Sequence, residues 1–273
     1  MPAPSTITPT APRERGLGYA LTGGLVITAI AVAIGVLLFA GLLLATRGPS
    51  APELLPAEVQ LYAATTPNIG GVVEVEQLRR VLRDGLGVPE PASLTTAVES
   101  LLGVNLREHV GPWLGSDIAV AVRGADPTQL QGADPGAALL RHAEVLFLFA
   151  SRNDPQAQVF LDRHRAAREA RGDSIATREH NGVTIYYAEG NEASPIAAFA
   201  LLHHYVVFSN SLAAVEQLAM ADAESRESLA HAPSFTRFQE HRAAAHSGAI
   251  YTDGTPAAEA ARAALRDLLV DLR

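Results

Sequence analysis

From Gly16 to Thr46 the chain carries no charged residue, and the core of that run, Leu17–Ala45, is mostly apolar. A stretch longer than about 20 residues spans a bilayer as a helix, with tilt to spare. The apolar part of a secretory signal is shorter, about 7–15 residues. The run is therefore read as an uncleaved transmembrane helix over residues 17–45, preceded by a short cytoplasmic tail, residues 1–16. Residues 46–58 hold three prolines and read as a stiff linker.

Beyond the linker the pattern changes to short alternating or two-sided apolar runs interleaved with stretches of helical period. Val59–Ala63 is the first expected strand. Val75, Leu78 and Leu82 recur at helical spacing, and Ser93–Leu102 forms a second amphipathic stretch. Ile118–Val122 and Val145–Phe149 are apolar on both faces, as strands in the middle of a covered sheet are. Asp154-Pro155 opens a helix with Asp as its cap, and Ala157, Phe160, Leu161 and His164 share one face. Asn181-Gly182, between Ser174–Glu179 and Val183–Ala188, is the strongest short hairpin signal. Ile196–Leu202 and Tyr205–Ser209 give a second hairpin, and Ser211 caps a helix running to Met220. A helical region spans 234–245, Ala249–Thr252 is the last strand, and Thr255-Pro256 caps a terminal helix with Leu265, Leu268, Leu269 and Leu272 on one face. This order predicts an α+β domain over residues 59–273. Its sheet is a largely antiparallel mixed sheet with packed helices covering one face, preceded by one transmembrane helix. Ile250–Thr252 followed by a helix repeats in outline the opening at Val59–Leu82, a pattern compatible with the start of a second structural repeat or with a helix that closes the sheet.

Charge refines the picture. The formal net charge is −8, and taking away the +2 of Arg13, Glu14, Arg15 and Arg47 leaves −10 on the rest. An acidic surface repels phosphate backbones, so no nucleic acid is expected as partner. Arg13 and Arg15 precede the apolar run and Arg47 follows it, a bias that places the N-terminus in the cytoplasm and the main domain outside. Ala31 and Gly35, and again Gly41 and Ala45, have the four-residue spacing that lets helices approach closely.

All 21 basic residues are Arg. Without Lys there is no Schiff base, no phosphate-cradling P-loop and no Ser-x-x-Lys pair. The chain has no Cys either, which removes disulfides, thiolate nucleophiles and thiolate zinc sites. Gly-x-Ser-x-Gly and Gly-x-Gly-x-x-Gly do not occur. Ser209-Asn210-Ser211 is explained as turn and cap chemistry. The doubled Gly-Ala-Asp-Pro at 124–127 and 132–135 lacks the ligand density of a calcium loop and reads as a solvated turn repeat. His241 and His246 are five apart and do not share a helix face, and His203-His204 sits at a hairpin turn whose adjacent side chains point apart. His164 on an apolar helix face reads as a satisfied, half-buried histidine, not a ligand. Trp113, the only Trp, lies between Gly111 and Gly115 just before a central strand and reads as a packing anchor. No catalytic, cofactor-binding or metal residue is assigned, and no cofactor is expected.

The segment around Trp113 also carries a likeness. Leu55-Pro56-Ala57-Glu58, Tyr62, Leu102-Gly103-Val104-Asn105-Leu106, Pro112-Trp113-Leu114-Gly115, Ile118–Val122, Asn181-Gly182-Val183, Tyr205-Val206-Val207 and Ser228-Leu229 through Phe235 follow one another after an apolar segment. In that order they resemble the bacterial membrane-anchored family catalogued as domain of unknown function 3352. His109-Val110-Gly111 departs from the family's pattern, where an acidic residue is expected before Pro-Trp, and the chain is shorter than typical members. The family has no assigned activity, so the resemblance implies architecture and membrane attachment and transfers no catalytic residue. The expectation is a membrane-anchored, single-pass extracytoplasmic domain, a non-catalytic module that binds an envelope protein or small ligand. The alternative is a metal- or carboxylate-dependent envelope hydrolase. About fifteen residues before the span are too few for a cytoplasmic signalling domain.

Overall fold

The computed structural model describes residues 48–65, 68–69, 72–73, 102, 105–132, 134–190, 196–221, 227–241 and 248–271. The expected tail and transmembrane helix lie outside these, as do the helix at Val75–Leu82, nearly all of Ser93–Leu102, His246 and Leu272. Among the described residues no helix is long and apolar enough to cross a membrane.

Eight strands form one antiparallel sheet in an α+β arrangement, as the alternation of hairpins and helices predicts. In chain order they are β1 (Leu61–Thr65), β4 (Leu114–Arg123), β5 (Glu144–Ser151), β6 (Ile175–His180), β7 (Val183–Ala188), β8 (Ala198–Leu202), β9 (Tyr205–Ser209) and β10 (Gly248–Thr252). A separate two-residue pair, β2 (Asn68–Ile69) and β3 (Val72–Val73), falls between the first two. Across the sheet the order is β10, β1, β4, β5, β9, β8, β7, β6. The strands expected to be central, β4 and β5, do lie at its middle, with Val120 opposite Phe147.

The helices are α1 (Ala51–Leu54), α2 (Pro135–His142), α3 (Asp154–Ala170), α4 (Leu212–Ala219), α5 (Pro233–His241) and α6 (Pro256–Asp271). They cover both faces of the sheet, not one. On one face Ala119, Ala121, Leu146, Leu148, Ala200 and Val207 pack with α1, α4 and Phe235 of α5. On the other, Leu61, Val122 and Val145 pack with α2 and α6, and Phe199, Val206 and Phe208 pack with α3. Strands apolar on both sides demand this, because either face left in water would expose a continuous apolar surface.

Several boundaries move for local reasons. The proline-rich stretch expected as a linker turns at Ser50, whose N–H and hydroxyl both donate to the Glu53 carboxylate, and α1 follows with Pro52 in its first turn. Leu54, Leu55 and Val59 are buried, and Leu229 N–H donates to the Leu55 carbonyl at 2.7 Å. Here the prolines start a helix turn. The cap of α3 is Asn153, whose Oδ1 accepts from Gln156 N–H, so Asp154 is the first helical residue. The doubled Gly-Ala-Asp-Pro is not one kind of turn. Asp126 holds the Thr128 N–H and hydroxyl, which keeps its carboxyl below the usual range, whereas Asp134 caps α2.

Other local signals hold. Asn181 and Gly182 take left-handed conformations, φ 49° and 76°, as a two-residue hairpin loop requires. Ser211 Oγ accepts from Ala214 N–H at the start of α4. Ser211→Ala is expected to lose about 1 kcal/mol of unfolding free energy, read as a lower urea midpoint at unchanged slope. A loss below the error of the measurement would remove the cap from the account.

Candidate functional site

Central strands end where loops meet, and at one end of β4, β5 and β9 the chain gathers its polar side chains. The register between β4 and β5 shifts between Leu114 and Ile118, which places Gly115, Ser116 and Asp117 in a bulge. Bulges re-aim side chains, and here Asp117 reaches the Tyr205 hydroxyl, which donates to Oδ2 at 3.1 Å. Gly115 suits the bulge because a Cβ would stand 3.0 Å from the Ala150 carbonyl oxygen. Burial, and then the Asp117 charge, push the Tyr205 hydroxyl above the ordinary tyrosine range, so it stays a neutral donor.

Beside this pair, His203 and His204 form the two-residue turn between β8 and β9. Both have positive φ, 49° and 64°, a conformation that non-glycine residues seldom take. Backbone strain of this kind persists where the surroundings over-determine it. Here they do. Ser151 N–H donates to the His204 carbonyl at 2.7 Å, the His204 ring nitrogen Nδ1 lies 2.6 Å from Asp154 Oδ2, and Gly48 fits against the ring with no room for a side chain. The His204 ring is half exposed, and Asp154 opens α3. The turn curls the two histidines out of the extended geometry assumed from sequence. Among the described residues no group of three His, Asp or Glu side chains stands close enough to hold a metal ion.

Two polar atoms at this end are buried without a hydrogen-bond partner, Asp154 Oδ1 and His203 Nε2. Arg152 is not their counter-charge, since its guanidinium donates to the carbonyls of Gly111 and Pro112. Sequence reasoning named the histidines and missed both the Asp154 carboxylate that holds the His204 ring and the Asp117–Tyr205 pair, whose tyrosine packs on the face that α1 covers, opposite α3. Only the Asp-Pro helix start hinted at Asp154, because the others come together through strand register.

The remaining candidates are structural. His164 is fully buried, donates through Nδ1 to the Leu102 carbonyl at 2.7 Å and sits edge-on to Phe199 and Phe208. Trp113 is buried, packs 5.1 Å from Phe160 and donates to the His109 carbonyl. Ser209 is buried, and its Oγ accepts from Ser211 N–H. Asn210 bridges Val145 N–H and the carbonyls of Leu140 and Ala143. Ser228 Oγ lies 3.0 Å from His231 Nδ1, a Ser–His contact unforeseen from sequence, with Ser228 buried and His231 exposed three residues on across a single short turn. His241 Nδ1 donates to the Arg237 carbonyl one turn back in α5.

A family model described as a protein of unknown function, DUF3352, matches residues 20–270. No curated protein and no solved structure matches the chain.

Proposed function

The chain belongs to the DUF3352 family, whose function is unknown, and from that premise we propose that it is a membrane-anchored extracytoplasmic module that binds a partner or small ligand. The observation that carries the reading is the charge-free run Gly16–Thr46, preceded by Arg13 and Arg15. The family match begins at residue 20 and so covers most of that run. The binding end is the strained His203-His204 turn with Asp154. A bound ligand would supply the hydrogen-bond partners that the buried Asp154 Oδ1 and His203 Nε2 lack.

The experiment is protease digestion of intact cells expressing the full chain. The expected result is that protease added outside removes the domain and leaves a small membrane-retained fragment. Complete protection until lysis, or recovery of the full chain without membranes, overturns the reading. The hydrolase alternative draws on one observation, the imidazole of His204 held by a carboxylate, which is how a general base is oriented. It requires a hydrolytic activity that Asp154→Asn abolishes.

A further inference from the structure

The two strands that end the sheet are built differently. At one border β6 presents Thr177, Arg178 and Glu179 to solvent. Arg178 pairs with Glu216 at 2.6 Å and lies over the Tyr187 ring, and Glu179 accepts from Thr184. Charge on an edge strand discourages pairing with another chain. At the other border β10 reads Gly248-Ala249-Ile250-Tyr251-Thr252, without one charge or proline. Ala249 and Tyr251 are buried on one side, and Ile250 packs from the other side into the core shared by α2 and α6. This is the make-up of an interior strand, yet among the described residues no strand lies on its outer side.

Its relation to β1 shows what such a strand accepts. Tyr62 stands opposite Tyr251, and both rings meet Phe235 edge-on at 5.6 and 5.1 Å. The two strands are thus near equivalents about a local two-fold axis, and β1 takes an antiparallel neighbour, β4, on its far side. We propose that β10 is an interaction edge that takes up, antiparallel, the β10 strand of a second copy of this chain, joining two sheets into one. Identical antiparallel strands satisfy two-fold symmetry by construction. With Ile250 facing Ile250, Gly248 meets Thr252 and Ala249 meets Tyr251, so small residues face large ones. Charged side chains along an edge strand oppose its taking up another strand. This one has none, although the domain as a whole is acidic.

The absence of Cys makes the test clean. The full chain, purified in mild detergent, is weighed by light scattering over a range of concentrations, and Ile250→Cys is oxidised and run under denaturing, non-reducing conditions. The expected results are a dimer, a disulfide-linked dimer with Ile250→Cys, and no link with Thr177→Cys on β6. Antiparallel partners lie close enough for a disulfide. Thr252→Lys is expected to return the chain to monomer while its circular dichroism spectrum stays native. A native chain that stays monomeric overturns the proposal even if the cysteine variant fails to fold. So does a dimer that survives Thr252→Lys, or one that links through Thr177→Cys.

Discussion

Trp113→Ala is expected to lower the unfolding free energy of the domain by about 3–5 kcal/mol, the range for removing a large buried aromatic. The indole fills space between the strands and α3 against Phe160, at 1% exposure, and its N–H satisfies the His109 carbonyl at 2.7 Å. Alanine leaves a cavity and an unpaired carbonyl. Trp113→Phe keeps much of the ring but not the donor, so its loss is smaller. Because Trp113 is the only tryptophan, unfolding in urea is followed by circular dichroism. A loss under about 1 kcal/mol for the alanine variant, the scale of a surface change, would mean that Trp113 is no anchor.

The second large effect is a dependence on pH. Burial among Phe199 and Phe208 holds the His164 imidazole neutral and depresses its pKa to about 4, a fall that the hydrogen bond to the Leu102 carbonyl partly opposes and nearby Arg168 and Arg171 reinforce. An unfolded histidine takes up its proton near 6.5. Because the folded value is the lower one, the stabilisation is complete above about pH 7, declines as pH falls through 6.5, and is gone near pH 4. The full difference is about 3 kcal/mol, most of it lost between pH 6.5 and 4.5. His164→Gln cannot titrate, so the gap in stability between the native chain and this variant should narrow as pH falls across that window. Urea unfolding at pH 7 and pH 5 measures it, and a gap that does not change would assign the acid sensitivity to other groups.

What could be read from sequence follows the range of the forces involved. The Asn181-Gly182 hairpin, the Ser211 cap and the buried face of α3 depend on neighbours a few residues away, and these agree with the structure. The two-sided apolar runs at Ile118–Val122 and Val145–Phe149 already implied helices on both faces of the sheet. Counting elements by order alone lost that implication and led to a one-sided sheet. Pro49, Pro52 and Pro56 suggested a linker because proline stiffens a chain. Whether a stiff segment is solvated or docked depends on partners such as Leu229 and Ser228, far away in sequence. The candidate site was half legible. His203-His204 could be placed at a turn, but the hold of Asp154 on His204 depends on how α3 packs, and the Asp117–Tyr205 pair forms only through the register of three strands and a bulge.

The pairing of β1 with β10 has a kinetic side. β1 is among the first pieces of the domain to be synthesised and β10 among the last, so the contact between Tyr62 and Tyr251 closes a loop that contains nearly all of the domain. Contacts of such separation slow folding. Until β10 arrives, β1 can pair with β4 but presents its other side, and Phe235 lacks one of the two tyrosine rings that flank it. During synthesis the border of the sheet is therefore β1, and a ribosome paused before Gly248 would hold a nascent chain with an open, uncharged strand that needs a chaperone or its own C-terminal segment to cover it.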